Sequence, residues 1–403
     1  MKPIYALVFT ACARAAHHHD QIPLTPPVDT CLLNTCPVTD PEHTADQTLP
    51  DEPPPHHWTG PFQCAGPYCI YSNPGFASGA GLVAITTAPN IAILNRTTTP
   101  LPLPPSHLPP ITIAPIPNKG LGVLATAPLR RGDTLLSTPA AFLTHRSFQS
   151  TIPYTTQTPL LDAAVLHLPA ARREVFLAQM GHFGGHKVAD ILATNTFQLD
   201  IGGPDGHHFA SFPEASRFNH DCRPNVAGRI EVDLDHGGVM HRATVARAVQ
   251  PGEELTIAYL DVKEPRAQRV ERTRMAWGFE CGCGQCGLPP GGVAASDKRL
   301  EELKALEGRM ADVKDEGVNG GMLRRVVRLL GEERLEVERA GALTLVALNW
   351  NMLGEEGLAR RYAGEAREAV VIEYGEGTGD AEAMRVLGER PREHFSWGAR
   401  VGR

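Results

Sequence analysis

Hydrophobic and polar positions divide the middle of the chain into strand-like and helix-like segments. Residues 118–145, NKGLGVLATAPLRRGDTLLSTPAAFLTH, alternate short apolar runs with Gly and Pro, which predicts strand, turn and strand. Apolar residues at roughly helical spacing over Pro159–Met180 predict one or two helices. Short strands return between Asn195 and Tyr259, and the sequence HGG at 236–238 predicts a hairpin turn between two of them.

The last hundred residues have a different pattern. From about Ser296 to Phe395, charges of both signs surround apolar residues at positions i, i+3 and i+4, as in LEELKALEGRM and GGMLRRVVRLLGEERLEVER. This spacing is typical of amphipathic helices. We therefore expect four or five helices that form a separate layer over residues 291–403.

The first part of the chain is rich in proline. Most of the 35 prolines lie before residue 120, in runs such as PDEPPPHHW. Proline fixes φ and removes a hydrogen-bond donor, so residues 16–110 are predicted to be a largely disordered arm. This arm contains two cysteine pairs, which form disulfides in an oxidising compartment or stay free thiols elsewhere. The paired residues are Cys31, Cys36, Cys64 and Cys69.

The N-terminus leaves the cellular location open. Residues 1–15 begin with Lys2, continue as a short apolar run and end in a small-x-small pattern, which is typical of a cleaved secretory signal. A buried strand or a misplaced start codon explains the same residues equally well. Cys281, Cys283 and Cys286 are spaced like thiols that bind a metal in the reduced state, which favours the nucleus or cytoplasm, with the secretory route as the alternative.

Composition excludes some functions. The net charge of −7 argues against a sequence-independent nucleic-acid binder, although an acidic groove would attract a basic protein tail. No stretch reaches the roughly 18 apolar residues that a membrane span needs.

The sequence FECGCGQCG at 279–287 is the sharpest chemical signal. Cys281, Cys283 and Cys286 are close enough for three thiolates to bind one ion, and such close pairs make poor disulfides. A closed zinc site needs four soft ligands, and Cys222 is the only other cysteine after residue 69. Non-ligating thiols and disulfides are the alternatives, and zinc is favoured.

Three further segments carry polar or glycine residues that are weak signals singly. RFNHDCRPN contains Asn219 and His220 beside Cys222, GEELTIAYLD ends a strand at Tyr259, and NKGLG puts Gly120 and Gly122 where a backbone could approach a ligand closely. In order, NKGLGVLAT, RFNHDCRPN, GEELTIAYLD and FECGCGQCG resemble the successive motifs of SET-domain protein lysine methyltransferases. TNTFQL and the helical tail resemble most the SET-and-MYND group and its fungal relatives.

The resemblance covers residues 115–290 well, and it implies an α+β fold of the SET β-clip type with a knot-like threading. The implied divisions are a SET domain at 111–262, a zinc-binding post-SET segment at 263–290 and the C-terminal helical layer. The sequence departs from the group in lacking a MYND finger and in carrying Asp221 where a small hydroxyl residue is frequent. The segment between the first motif and TNTFQL is also short.

The resemblance also implies roles for individual residues in S-adenosylmethionine-dependent methyl transfer to a lysine of a histone or other protein. Tyr259 is the catalytic tyrosine, Trp277 lines the lysine channel, and the zinc is structural. The residues implied to bind the cofactor are Lys119, Gly120, Leu121, Gly122, Asn195, Asn219, His220 and Phe279. The alternative is an inert SET scaffold that binds partner proteins through its C-terminal helices.

Overall fold

The computed structural model describes residues 57–96, 110–234 and 238–401, which form three β-sheets and several helices. The strands are β1 (Cys64–Ala65), β2 (Tyr68–Asn73), β3 (Leu82–Thr86), β4 (Ile111–Ile116), β5 (Gly120–Ala125), β6 (Thr134–Pro139), β7 (Phe142–His145), β8 (Thr196–Asp200), β9 (His207–Ser211), β10 (Asn219–His220), β11 (Val226–Asp233), β12 (Gly238–Val245) and β13 (Glu254–Ile257). The helices are α1 (Ala88–Leu94), α2 (Phe148–Thr151), α3 (Tyr154–Leu166), α4 (Ala170–Leu177), α5 (Lys187–Asn195), α6 (Arg266–Trp277), α7 (Pro290–Ala311), α8 (Gly320–Glu332), α9 (Ala340–Met352), α10 (Glu356–Tyr374) and α11 (Gly379–Glu389). Short helical turns lie at Phe76–Gly79, Ala215–Arg217 and Pro391–Glu393.

The largest sheet contains part of the segment that the proline content predicted to be disordered. Its strand order is β1-β2-β3-β7-β9-β8, and β3 pairs in parallel with β7. Every residue of β3 is buried, and Val83 and Ile85 pack in one core with Phe142 and the helices α3 and α5. The prediction of a disordered arm is therefore wrong for residues 57–96, because buried apolar strands outweigh the local proline content. The rest of that predicted arm, up to residue 109, and the signal-like residues 1–15 lie outside the described residues.

Two smaller sheets carry the motifs singled out in the sequence. One has the order β10-β13-β5-β4, in which β10 runs parallel to β13 and places Asn219 opposite Thr256. The other has the order β11-β12-β6, and the antiparallel pairing of Asp233 with Gly238 confirms the predicted hairpin. The loop that follows β10 and the end of β13 consequently lie side by side.

The C-terminal helices α7–α11 confirm the predicted number, and they share one hydrophobic core. The core also includes Val262, which follows β13. The amphipathic pattern does not hold for α9, in which Gly341 alone is not buried. Helix α9 is therefore surrounded by the other helices rather than lying at the surface.

The helix content and the three sheets make the described part an α+β structure, as predicted. Helices α3 and α4 confirm the one or two helices expected within residues 159–180. None of the helices in the described ranges combines the length and the apolar character that crossing a bilayer requires.

Candidate functional site

Four buried cysteine side chains converge at one point of the structure. Their Sγ atoms all lie within 4.8 Å of one another, and the residues are Cys222, Cys281, Cys283 and Cys286. The Cys222 sulfur lies 3.9 Å from that of Cys281 and 3.6 Å from that of Cys286. Sulfur atoms bound tetrahedrally to zinc at about 2.3 Å are about 3.8 Å apart. The four thiols therefore have the spacing and the chemistry of a closed zinc site.

The chain reaches this cluster from two directions. Cys222 follows β10, whereas the other three lie in the loop between α6 and α7. Within that loop the backbone amide of Cys286 donates to the Cys283 sulfur at 3.4 Å. Hydrogen bonds from Cys222 and Cys281 lower the pKa of the Cys283 and Cys286 thiols, whereas hydrogen bonds within the cluster raise the pKa of Cys222. The two thiols with a lowered pKa favour the thiolate that a metal requires.

A buried cation lies against the sulfurs. Arg269 on α6 is 1% exposed, and although burial opposes its charge, the neighbouring Cys222 and Cys286 raise the pKa of its guanidinium. Four thiolates around a divalent ion carry a net charge of about −2, and a neighbouring guanidinium reduces the cost of burying that charge. Arg269 was not among the predicted site residues, because the helix before the cysteines carries four arginines and the sequence does not show which of them is buried.

Tyr259 lies at the end of β13 among three other aromatic rings. Its ring centroid is 5.2 Å from that of Trp277 and 5.4 Å from that of His220, and Phe279 lies 6.2 Å from His220. The Tyr259 hydroxyl donates to the Phe218 carbonyl at 2.7 Å. Burial raises the pKa of Tyr259, so the side chain remains a neutral phenol at physiological pH.

His220 connects this aromatic group to the cysteine cluster. Its Nδ1 atom accepts from the Tyr259 backbone amide at 3.2 Å, and its Nε2 atom lies 3.4 Å from the Cys222 sulfur. Burial lowers the pKa of His220 to about 4, so the ring is neutral near pH 7. Because Nδ1 is an acceptor, the single ring proton sits on Nε2 and points at the sulfur.

Asn219 and the glycine segment meet on the four-stranded sheet. The Asn219 amide donates to the Leu121 carbonyl at 3.2 Å and to Glu254 at 2.9 Å, while Lys119 forms an ion pair with Glu254 at 2.7 Å. A Cβ atom at Gly120 would have no atom within 4 Å, and Leu121 is 46% exposed. This stretch of β5 is thus open to a ligand. Glu254 holds two of the predicted residues together, and sequence reasoning did not identify it.

The side chain of Asn195, another predicted cofactor contact, is held by two backbone carbonyls. At the end of α5 its amide nitrogen donates to the carbonyls of Met180 and Ile191, at 2.6 and 2.9 Å. The neighbouring Thr194 carbonyl accepts from the Trp277 indole nitrogen at 3.2 Å. The structure therefore joins Asn195 to the Trp277 side, and its Oδ1 atom is the group it can offer to a ligand.

His182, which was not among the predicted site residues, packs over Gly278 between Trp277 and Phe279. A Cβ atom at Gly278 would lie 1.6 Å from the His182 ring, so that ring packs directly on the Gly278 backbone. Gly278 ends α6 with a φ of 67°, a left-handed conformation that favours glycine. His182 thereby links the loop before α5 to the Trp277–Phe279 segment.

Comparisons with known proteins agree with the motifs. A family model described as SET domain matches residues 120–260. The Histone-lysine N-methyltransferase set5 of Schizosaccharomyces pombe is 27% identical over 240 residues, which are 59% of this chain and 68% of that protein. The N-lysine methyltransferase SMYD2-B of Danio rerio is 32% identical over 77 residues, or 19% of this chain and 16% of that protein. The human SMYD2 is 31% identical over a stretch with the same coverage.

These matches cover only part of each related protein. The chain spans about two thirds of the yeast protein but less than a fifth of the SMYD2 proteins. The SET domain match ends at residue 260, directly after Tyr259. The chain therefore carries a SET domain and is related to proteins named as histone-lysine and N-lysine methyltransferases, as the resemblance of its motifs predicted.

Proposed function

We propose that this protein transfers a methyl group from S-adenosylmethionine to a lysine side chain of a protein substrate, a histone or another protein. The observation that carries the proposal is the environment of Tyr259, a neutral phenol held by one hydrogen bond beside Trp277 and His220 at the end of a SET domain. The open backbone at Gly120 and Leu121 and the nearby Asn219 amide also fit a cofactor. The proposed cofactor contacts are Lys119, Gly120, Leu121, Gly122, Asn195, Asn219, His220 and Phe279.

The reaction requires positioning above all. When bound, S-adenosylmethionine supplies an electrophilic methyl group on a positively charged sulfur, which an amine attacks in line. The Tyr259 hydroxyl donates a hydrogen bond to the Phe218 carbonyl, so its oxygen lone pairs are free to orient the incoming amine. The hydrogen bond to Phe218 holds Tyr259 in that geometry directly after β13.

The amine must lose a proton before it attacks. A lysine ammonium has a reference pKa of about 10.4, and an apolar environment lowers that value because it disfavours the charged form. Trp277 and Tyr259, whose ring centroids are 5.2 Å apart, would provide such an environment. A neutral lysine in this channel attacks, and the methylated product then carries the positive charge.

The four-cysteine cluster is proposed to hold a structural zinc ion. It would bind the segment after α6, which continues from Trp277 through Phe279, to the segment after β10, which continues from Asn219 and His220. A closed site with four protein ligands has no position left for substrate, so its role is to fix these loops.

The finer features that the family resemblance implies belong to the same proposal. They are the SET domain at 111–262, the post-SET segment at 263–290, the helical domain at 291–403, a knot-like threading and an intracellular location. A lysine-bearing tail is the proposed partner of the site, and the C-terminal helices are a second candidate surface for a protein partner.

Replacing Tyr259 with phenylalanine tests the proposal. Tyr259→Phe removes the oxygen that orients the amine, so kcat is expected to fall about 100-fold or more, by analogy with the loss of one positioned polar group elsewhere. The dissociation constant for S-adenosylmethionine should change little. The measurement is transfer of labelled methyl groups to a panel of histones and other proteins, together with calorimetric titration of the cofactor.

A matched control is Tyr362→Phe, the same chemical change at a buried tyrosine in the helical layer. It should leave kcat unchanged. Full activity in Tyr259→Phe would refute the proposed role of this tyrosine. A wild-type chain that does not bind the cofactor would instead favour the inert scaffold.

A further inference from the structure

We infer that Glu333 in the helical layer is a positioning residue that holds both halves of the four-cysteine cluster, so that the C-terminal helices are part of the proposed methyl-transfer site. This inference rests on the proposed zinc site. Glu333 caps the end of α8, and its side chain is completely buried.

The Glu333 carboxylate is surrounded by donors from three separate segments. One of its oxygens accepts from Ser296 on α7 at 2.8 Å and from Gln285 at 3.2 Å, and it pairs with Arg223. The other oxygen pairs with Arg299 at 2.7 Å. A buried carboxylate is stable only with such partners, and here they fix its position completely.

Two of these partners are directly attached to metal-ligand candidates. Arg223 follows Cys222 in sequence, and its side chain also donates to the Cys222 carbonyl at 2.6 Å. Gln285 lies between Cys283 and Cys286, and it is 5% exposed. A single carboxylate on the helical layer thus contacts the neighbours of ligands that are about sixty residues apart in sequence.

The cysteine ligands also connect Glu333 to the proposed cofactor site. Cys222 is joined to the His220 ring, and the ligand Cys281 follows Phe279 by two residues. If Glu333 releases Arg223 and Gln285, the two loops lose their common attachment to the helical layer. Loosening is then expected first at the metal and next at the Phe279 side of the cofactor, whereas Tyr259, which follows β13, keeps its own hydrogen bond.

The experiment compares the Glu333→Gln variant of the full chain with the wild type. Zinc content is measured by atomic absorption, and zinc transfer to a coloured chelator is followed in time. Groups that orient metal ligands typically change metal affinity about 10- to 100-fold, so zinc release should accelerate by about that factor. The KM for S-adenosylmethionine should rise more than kcat falls.

The control is Glu302→Gln, because Glu302 forms a half-exposed ion pair with Arg325 in the same layer, and no hydrogen bond joins its side chain to the cysteine loops in the described part of the chain. A second variant, Gln285→Met, removes the contact of Glu333 with the loop of Cys283 and Cys286 and leaves its pair with Arg223 in place. Zinc release should be faster than in the wild type but slower than in Glu333→Gln. If Glu333→Gln does not fold, this second variant is the test of the inference.

The outcomes separate the inference from the proposal on which it rests. Zinc in the wild type with unchanged release in Glu333→Gln, or unchanged release in Gln285→Met where the first variant does not fold, would overturn the inference alone. A wild type without bound zinc would overturn the proposed metal site and the inference with it. Faster release in Glu333→Gln and not in Glu302→Gln supports the inference.

Discussion

Gly122 is required for the space it leaves, not for its backbone conformation. A Cβ atom there would lie 2.5 Å from Ile116 Cγ1 and 2.7 Å from Asn219 Nδ2. Real Cβ atoms do not approach other atoms so closely, so an alanine at this position would force the Ile116 or Asn219 side chain to move. The missing side chain is what lets the Asn219 amide reach β5 and hydrogen-bond to the Leu121 carbonyl.

Gly122→Ala is therefore expected to push Asn219 away from β5. The overpacking should lower the free energy of unfolding by about 1–3 kcal/mol, and the affinity for S-adenosylmethionine should fall because a proposed contact is displaced. Urea unfolding and calorimetric cofactor titration measure the two effects. Gly308→Ala is the control, since nothing lies within 4 Å of its Cβ position on the exposed face of α7.

At Gly308 alanine should stabilise the helix by about 0.5–1 kcal/mol and leave cofactor binding unchanged. A Gly122→Ala protein as stable as the wild type, with the same cofactor affinity, would show that β5 tolerates the methyl group.

Single residues differ in how far the sequence could predict their place. The meeting of Cys222 with the other three cysteines was predictable, because zinc chemistry demands a fourth soft ligand and the chain offered one. Glu254 was not predictable in this way. Its partners Lys119 and Asn219 are 135 and 35 residues away, and a carboxylate at the start of a strand gives no sign of the register that joins them.

Among the elements, β3 shows why average composition misled the interpretation of the N-terminal region. Proline is frequent over a hundred residues, but the run LVAIT at 82–86 contains none and is entirely buried. A short buried strand in a parallel pairing has no alternating pattern, so its hydrophobic run is the one local signal it leaves. The helical layer was easier to predict, since helix spacing persists over many residues.

The buried residues of β2 and β3 predict that a chain beginning at residue 110 does not fold stably. Ile70, Val83 and Ile85 have no exposed surface, and each such side chain contributes about 1.5–3 kcal/mol by burial. The sum is comparable with a total stability of about 5–15 kcal/mol. A protein of residues 110–403 should lack a cooperative thermal transition and bind a hydrophobic dye.

The control is residues 57–403, which keeps the six-stranded sheet and should unfold cooperatively. Both are followed by circular dichroism during heating. A cooperative transition in the shorter protein, at the temperature of the longer one, would contradict the structural role of β1–β3.

Over the whole molecule, two buried histidines in different sheets make stability depend on pH. His208 on β9 and His241 on β12 are each 1% exposed. His208 hydrogen-bonds to Thr86, whereas neither ring nitrogen of His241 has a partner within the described part of the chain. Burial lowers the pKa of each histidine to about 4.

The sign of this pH dependence follows from the protonation of each histidine in the folded and in the unfolded state. In the unfolded chain a histidine has a pKa of about 6.5, so below that pH the unfolded state binds protons that the folded state excludes until about pH 4. The free energy of unfolding should therefore fall as the pH decreases from about 6.5 to 4, by about 1.4 kcal/mol per pH unit for each histidine.

His241→Phe isolates one of these contributions. The ring faces Phe197 and Phe212, with centroids 5.1 and 5.5 Å away, so a phenyl group suits the site. Urea unfolding between pH 7 and 5 should show a slope about 1.4 kcal/mol per pH unit smaller in the variant, at the acidic end. Metal loss at low pH affects both proteins alike, which is why the difference in slope is decisive. The exposed His207→Phe is the control, and equal slopes in His241→Phe and the wild type would mean that the His241 ring already takes up its proton in the folded protein.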